Sequence, residues 1–306
     1  MKKSKFLNIL ALISMLGLAG CAGQPLYKPM QESVSNKVKN TSLIHVSSQQ
    51  ELIAEFEVSQ AGLVAAGGFG ALGGLIGAMV DTGINQSRAS EAEETVLPLR
   101  DILIDYDFKN EMEHSINAVF EGSKWHQDKL ILIAEDSSKA LDAAIKEKET
   151  DGVISISTAY HMSPNFNDLK VMAHVNLFPN TPELKAIQKD LYTDSRVNNP
   201  KSLISDTRSS LFRNQINLLY PISSEVVPKE LAVKMWQEEE GQVLKDALAK
   251  AVEVLPKVIK YDLETTISDE QDPNKYKTSN GEQTVQIDGY TFSITRGPLG
   301  LTVKLL

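Results

Sequence analysis

Leu169-Lys170-Val171-Met172-Ala173-His174-Val175-Asn176-Leu177-Phe178 is the stretch whose period decides the fold class. Leu169, Val171, Ala173, Val175 and Leu177 repeat every second residue, which predicts a strand with one face in a core. Upstream, Val153 to Tyr160 has the same character, and the turn-rich Ser163-Pro164-Asn165-Phe166-Asn167-Asp168 joins the two as an antiparallel pair. Downstream, Leu211 to Tyr220 predicts a third strand, after a polar and ambiguous stretch from Thr181 to Ser209.

Pro228 opens the longest predicted helix, running towards Ile259. Leu244, Leu248, Ala251, Val252, Leu255 and Ile259 form its apolar stripe, and Glu238, Glu239 and Glu240 belong to its polar part. After a polar linker, Thr284 to Ile287 and Tyr290 to Thr295 flank Asp288-Gly289, a strong hairpin signal, and a last strand runs to Lys304. Towards the N-terminus, Ser42 to Val46 and Glu51 to Val58 predict two strands joined by Ser47-Ser48-Gln49-Gln50. Helices are expected from Thr82 to Glu94, from Pro98, and from Glu111 to Phe120. A short strand follows at Leu130 to Ala134, then a helix from Lys139 to Lys148 behind the caps Asp136 and Ser137. These elements give an α+β fold: an antiparallel or mixed sheet with helices packed on one face, a long C-terminal helix and a terminal β-hairpin.

The first residues carry an address. Lys2, Lys3 and Lys5 precede an uncharged apolar run from Phe6 to Leu18, the arrangement of a secretory signal. That run is too short to span about 30 Å of hydrocarbon comfortably. Leu18-Ala19-Gly20-Cys21 resembles the lipobox of bacterial lipoproteins. The resemblance implies cleavage before Cys21 and acylation of its sulfur. Two or three acyl chains make a stable anchor, because each buried methylene contributes about 0.8 kcal/mol. Ala22, rather than aspartate, follows the cysteine, which in such lipoproteins implies the outer membrane with the domain facing the periplasm. The expected organisation is a signal at 1–20, a lipidated tether at 21–41, the α+β domain at 42–262, and a linker with hairpin at 263–306. The order of elements is loosely similar to small sheet-and-helix domains of other envelope lipoproteins, an analogy of fold that carries no activity.

Cys21 is the single cysteine, so the fold must hold without a disulfide. Loss of the three signal lysines moves the formal charge from −9 to −12, which disfavours nucleic acid and anionic headgroups. Hydrophobic residues make up 42%, enough for a globular core.

Ala61 to Val80 is free of charge and contains seven glycines. Small residues recur every fourth position at Gly62, Ala66, Gly70, Gly74 and Ala78, a stripe along which another helix can approach closely. The pattern resembles the glycine zippers of some membrane-associated proteins. Seven glycines cost roughly 7 kcal/mol of helix propensity relative to alanine, so the segment must pack on something: its own domain, another copy or a bilayer. Gly68-Phe69-Gly70-Ala71-Leu72-Gly73 matches a dinucleotide fingerprint, but no strand runs directly into it and no acid ends a following strand.

No catalytic or metal constellation is expected, and no cofactor. Glu111 and His114 have di-iron spacing, but that chemistry needs a second such pair. Asp105-Tyr106-Asp107 with Asn110 lacks the glycine and glutamate of a calcium loop. His161 and His174 have no partner implied by spacing, and Trp125 and Trp236 read as core. H-E-x-x-H, G-x-S-x-G and S-x-x-K are absent from the sequence. Three functional classes stay open: a non-enzymatic envelope protein binding another envelope component, a glycine-zipper oligomer or membrane-inserting protein, and a hydrolase with a dispersed site.

Overall fold

The computed structural model describes residues 27–47, 49–56, 83–126, 131–133, 150–191, 210–271, 281–297 and 300–306. Its strands are β1 (Met30–Gln31), β2 (Thr41–Val46), β3 (Ile53–Ala54), β4 (Ile131–Ile133), β5 (Gly152–Met162), β6 (Asp168–Pro179), β7 (Phe212–Pro221), β8 (Thr266–Ile267), β9 (Glu282–Ile287), β10 (Tyr290–Gly297) and β11 (Gly300–Leu305). The helices are α1 (Glu32–Lys37), α2 (Gly83–Ile102), α3 (Phe108–Phe120), α4 (Pro182–Leu191), α5 (Lys229–Trp236) and α6 (Glu238–Glu264). The fold is α+β. The main sheet runs β4-β2-β5-β6-β7-β11-β10-β9, with β3 added beside the end of β5.

The expected β5–β6–β7 antiparallel core is present, with Val171 opposite Tyr160 and Leu218. Leu169, Val171, Ala173, Val175 and Leu177 are all buried on the helix side. They share one core with Leu244, Leu248, Ala251, Leu255 and Ile259 of α6, and with Met112, Ile116 and Phe120 of α3. Each such side chain contributes roughly 1.5–3 kcal/mol on leaving water, so this single layer carries the fold. The α3 face follows i, i+4 spacing through Phe108, Met112, Ile116 and Phe120, while Val119 is only partly covered.

The terminal hairpin is also present, turning at Asp288 and Gly289, both with positive φ. It is no appendage. β11 lies parallel to β7 and carries the hairpin into the main sheet, so 263–306 extends the same domain. From Tyr27 onward the chain packs, with Val34 and Val38 buried and β1 paired to β8. Arg296 explains why the start is held: its guanidinium donates to Asp262 Oδ1 at 2.6 Å and to Tyr27 Oη at 3.1 Å. Asn214 Nδ2 completes the site on Asp262 Oδ2 at 2.6 Å. Asp262 is 1% exposed, and a carboxylate so buried needs these partners.

Two helix boundaries depart from expectation. α2 runs unbroken through Pro98, which sits inside it rather than opening a second helix. Proline there forfeits one N–H bond, and burial of Val96, Leu99 and Leu103 around it holds the last turns. The long helix from Pro228 is instead two, α5 and α6, with Glu239, Glu240 and Gly241 in left-handed conformation in the first turn of α6. Gly241 packs against the end of α2 so closely that a Cβ would collide with Ile102. The break leaves α5 beside α2, tied by the Lys229–Glu91 ion pair at 2.7 Å, while α6 continues over the sheet. The predicted helix at Lys139 to Lys148 lies outside the described residues. Gly241→Ala combines a left-handed penalty of about 1–2 kcal/mol with that collision. It should lower unfolding free energy by at least about 2 kcal/mol in urea titration, and a change near zero would contradict the break.

Candidate functional site

The sequence-predicted site residues Leu18, Ala19, Gly20 and Cys21, and the stripe Gly62, Ala66, Gly70, Gly74 and Ala78, lie outside the described residues. Glu111 and His114 are both exposed on α3. No cluster of three or more His, Cys, Asp or Glu side chains is placed to hold a metal ion among the described residues. Nor is any described helix long and apolar enough to cross a membrane. Trp125 and Trp236 are fully buried, and Trp236 Nε1 donates to the carbonyl of Phe166 at 2.7 Å.

A polar crevice opens where the sheet topology reverses. β2 is parallel to β4 on one side and to β5 on the other, so the chain leaves the carboxyl end of β2 towards one flank and later crosses to the other. In open sheets that divergence leaves space for a ligand beyond the strand ends. Here it has a cavity volume of about 240 Å³. Ser47, Gln49 and Gln50 form one wall, Tyr160 of β5 another, and Tyr106, Asp107, Phe108 and Lys109 close it from the start of α3.

Gln49 shapes the wall. β5 pairs with β2 up to Ser157 and with β3 from His161, leaving an interruption at Tyr160. The Gln49 side-chain amide fills it, donating to the Tyr160 carbonyl at 2.6 Å and accepting from the Tyr160 N–H at 2.9 Å. A side chain thus substitutes for strand backbone. This is why β2 and β3 share β5 as neighbours instead of forming a hairpin with one another. Phe108 holds the Tyr160 ring, with centroids 4.5 Å apart.

The lining is mostly uncharged donor groups. Burial, then Glu111, pushes the Tyr106 phenol up to about 12, and burial, then Glu51, does the same for Tyr160. Both keep their protons at neutral pH. Tyr106 Oη and Ser47 Oγ are buried and hydrogen-bond to nothing, although Ser47 is only 5% exposed. Asp107 caps α3 by accepting from the Asn110 N–H at 3.0 Å.

The opposite face of the sheet, away from the helices, is polar across its centre. Strand register and alternation place Ser155, Ser157 and His161 of β5 there with Lys170, His174 and Asn176 of β6 and Gln215 and Asn217 of β7. The β2 end of this face is apolar, through Ile44, Val46, Val153 and Phe178, and Ala159 and Met172 are buried on it further along. Both ring nitrogens of His161, His174 Nε2, Asn176 Oδ1 and Gln215 Oε1 are buried without a hydrogen-bond partner among the described residues, and His161 Nδ1 lies 4.0 Å from Glu55 Oε1. Glu55 binds Lys170 at 3.0 Å beside His161. The structure therefore brings His161 and His174 to one face, a proximity that their sequence spacing did not signal.

No protein-family model matches the chain, and no curated protein is similar to it.

Two predictions follow from this geometry. Gln49→Ala strips both Tyr160 backbone groups of partners and should cost about 1–3 kcal/mol, read as a lower unfolding midpoint. If that midpoint is unmoved, the strand-like role of Gln49 is wrong. Burial holds His45, His161 and His174 at about 4, below the ordinary 6.5. The unfolded chain therefore takes up protons first as pH falls. Their contribution is complete above pH 6.5 and disappears as pH drops through 4, amounting to about 2 kcal/mol per imidazole by pH 5. Urea midpoints at pH 7.5 and 5.0 measure the loss, and His161→Phe should flatten it by one proton's share.

Proposed function

We propose that this chain is an acylated lipoprotein of the cell envelope, anchored through Cys21, whose α+β domain binds another envelope component without catalysing a reaction. The observation that carries the reading is Leu18-Ala19-Gly20-Cys21 closing a basic, apolar signal. The start of the domain supports it. Tyr27 is buried six positions after Cys21, and Lys28 is pinned by backbone bonds to Arg213 and by Nζ to the Ser210 carbonyl at 2.7 Å. Six residues reach at most about 20 Å, so an acylated Cys21 holds the edge bearing Tyr27 and Arg296 close to the bilayer. A module tied so short suits a partner in or on the same membrane, on its periplasmic side by the Ala22 reading.

Cys21→Ser should abolish acylation and cleavage at that bond and change how the chain fractionates with membranes. Processing at the same bond with unchanged membrane fractionation would sink the proposal. Cross-linking of the wild-type chain in intact envelopes should capture a discrete partner.

A further inference from the structure

We infer that the crevice at the carboxyl end of β2 is a binding site for a small zwitterion of the amino-acid class, one carboxylate and one ammonium a few ångströms apart. The inference is independent of how Cys21 is processed.

Three observations carry it. The first is a pair of opposite charges without ion-pair partners, the Asp107 carboxylate exposed and the Lys109 side chain half-buried. Asp107 and Lys109 both line the crevice, yet among the described residues neither forms an ion pair, with the other or with anything else. The one hydrogen bond of the Asp107 side chain is to the Asn110 N–H, and Lys109 forms none. Two opposite charges facing one space without meeting complement a ligand that carries both. A net anion would meet Asp107, and a net cation would meet Lys109.

The second is the unused hydrogen-bonding capacity of Ser47 and Tyr106. Leaving a buried hydroxyl unpartnered costs about 1–3 kcal/mol, and Ser47 is 95% buried by its 5% exposure. Both hydroxyls border the same cavity. A carboxylate oxygen accepts from each, with the Lys109 ammonium adding favourable charge on that side. The ligand's ammonium then faces Asp107.

The third is size and place. About 240 Å³ is room for roughly eight waters, enough for a free amino acid and too small for a folded partner. The wall is held by the Gln49–Tyr160 bonds and the Phe108–Tyr160 ring contact, so the space exists before a ligand enters.

Equilibrium dialysis of the full-length lipoprotein in detergent against radiolabelled alanine tests the inference. Saturable binding at one site, with a dissociation constant below ~10 mM, is expected. Asp107→Asn keeps a good helix cap while removing the charge, and Lys109→Gln keeps the helix. Each should weaken alanine binding at least tenfold with thermal unfolding unchanged. Acetate, methylammonium and glucose should each compete at least tenfold more weakly than unlabelled alanine. Absence of saturable binding, unchanged affinity in both variants, or competition by glucose or acetate as strong as by alanine would overturn it.

Discussion

Strands β5, β6 and β7 present two unlike faces, and the need to cover one of them organises the rest of the molecule. The odd positions of β6 are apolar from Leu169 to Leu177, and water must be kept from all five. Helix α6 supplies the cover because its stripe from Leu244 to Ile259 is long enough to lie over the strands, with α3 packed beside it. With no disulfide in the fold, this apolar layer bears the stability, and the buried Asp262 carboxylate is tolerated because Arg296 pairs with it. Arg296 does more than neutralise Asp262. By also reaching Tyr27 it fixes where the chain enters the domain.

The crevice and the polar sheet face arise from the same layout. A sheet that is parallel on its β4-β2-β5 side and antiparallel from β5 to β7 must change its connection pattern near β5. The space lies where β5 passes from β2 to β3, and Gln49 keeps the ladder intact across the gap. On the far face, the histidines are buried among polar neighbours instead of in the apolar layer. His161 feels burial first, then the opposing effects of Glu55 and Lys170. Its neutral form is the one the fold selects.

Phe166 and Asp288 each have positive φ singly, and two such residues fall side by side at the start of α6. Glu239 and Glu240 adopt φ of 53° and 58° ahead of Gly241, a conformation costly for side chains with a Cβ. It is held because Trp236 is locked to Phe166 on one side and the α6 stripe to the sheet on the other. Helix periodicity cannot reveal such a break, since the residues on either side keep good helical patterns.

Local pattern alone determined the α+β class, the β5–β6–β7 strands, the hairpin at Asp288-Gly289 and the apolar stripe of α6. The reason is that alternation, helical spacing and turn chemistry act within a few residues. The lipobox resemblance likewise rests on contiguous residues. Tertiary structure decided what depends on partners far apart in sequence: the parallel placing of β2 and β11, the entry of Tyr27 into the fold, the double bond from Gln49 to Tyr160, and the meeting of Ser47 with Tyr106, Asp107 and Lys109. Asp107 and Lys109 look like ordinary first-turn residues of a helix. Only the packing of that helix against the end of β2 sets their charges opposite unused hydroxyls, because a hydrogen bond's absence is a property of the surroundings and not of the residue.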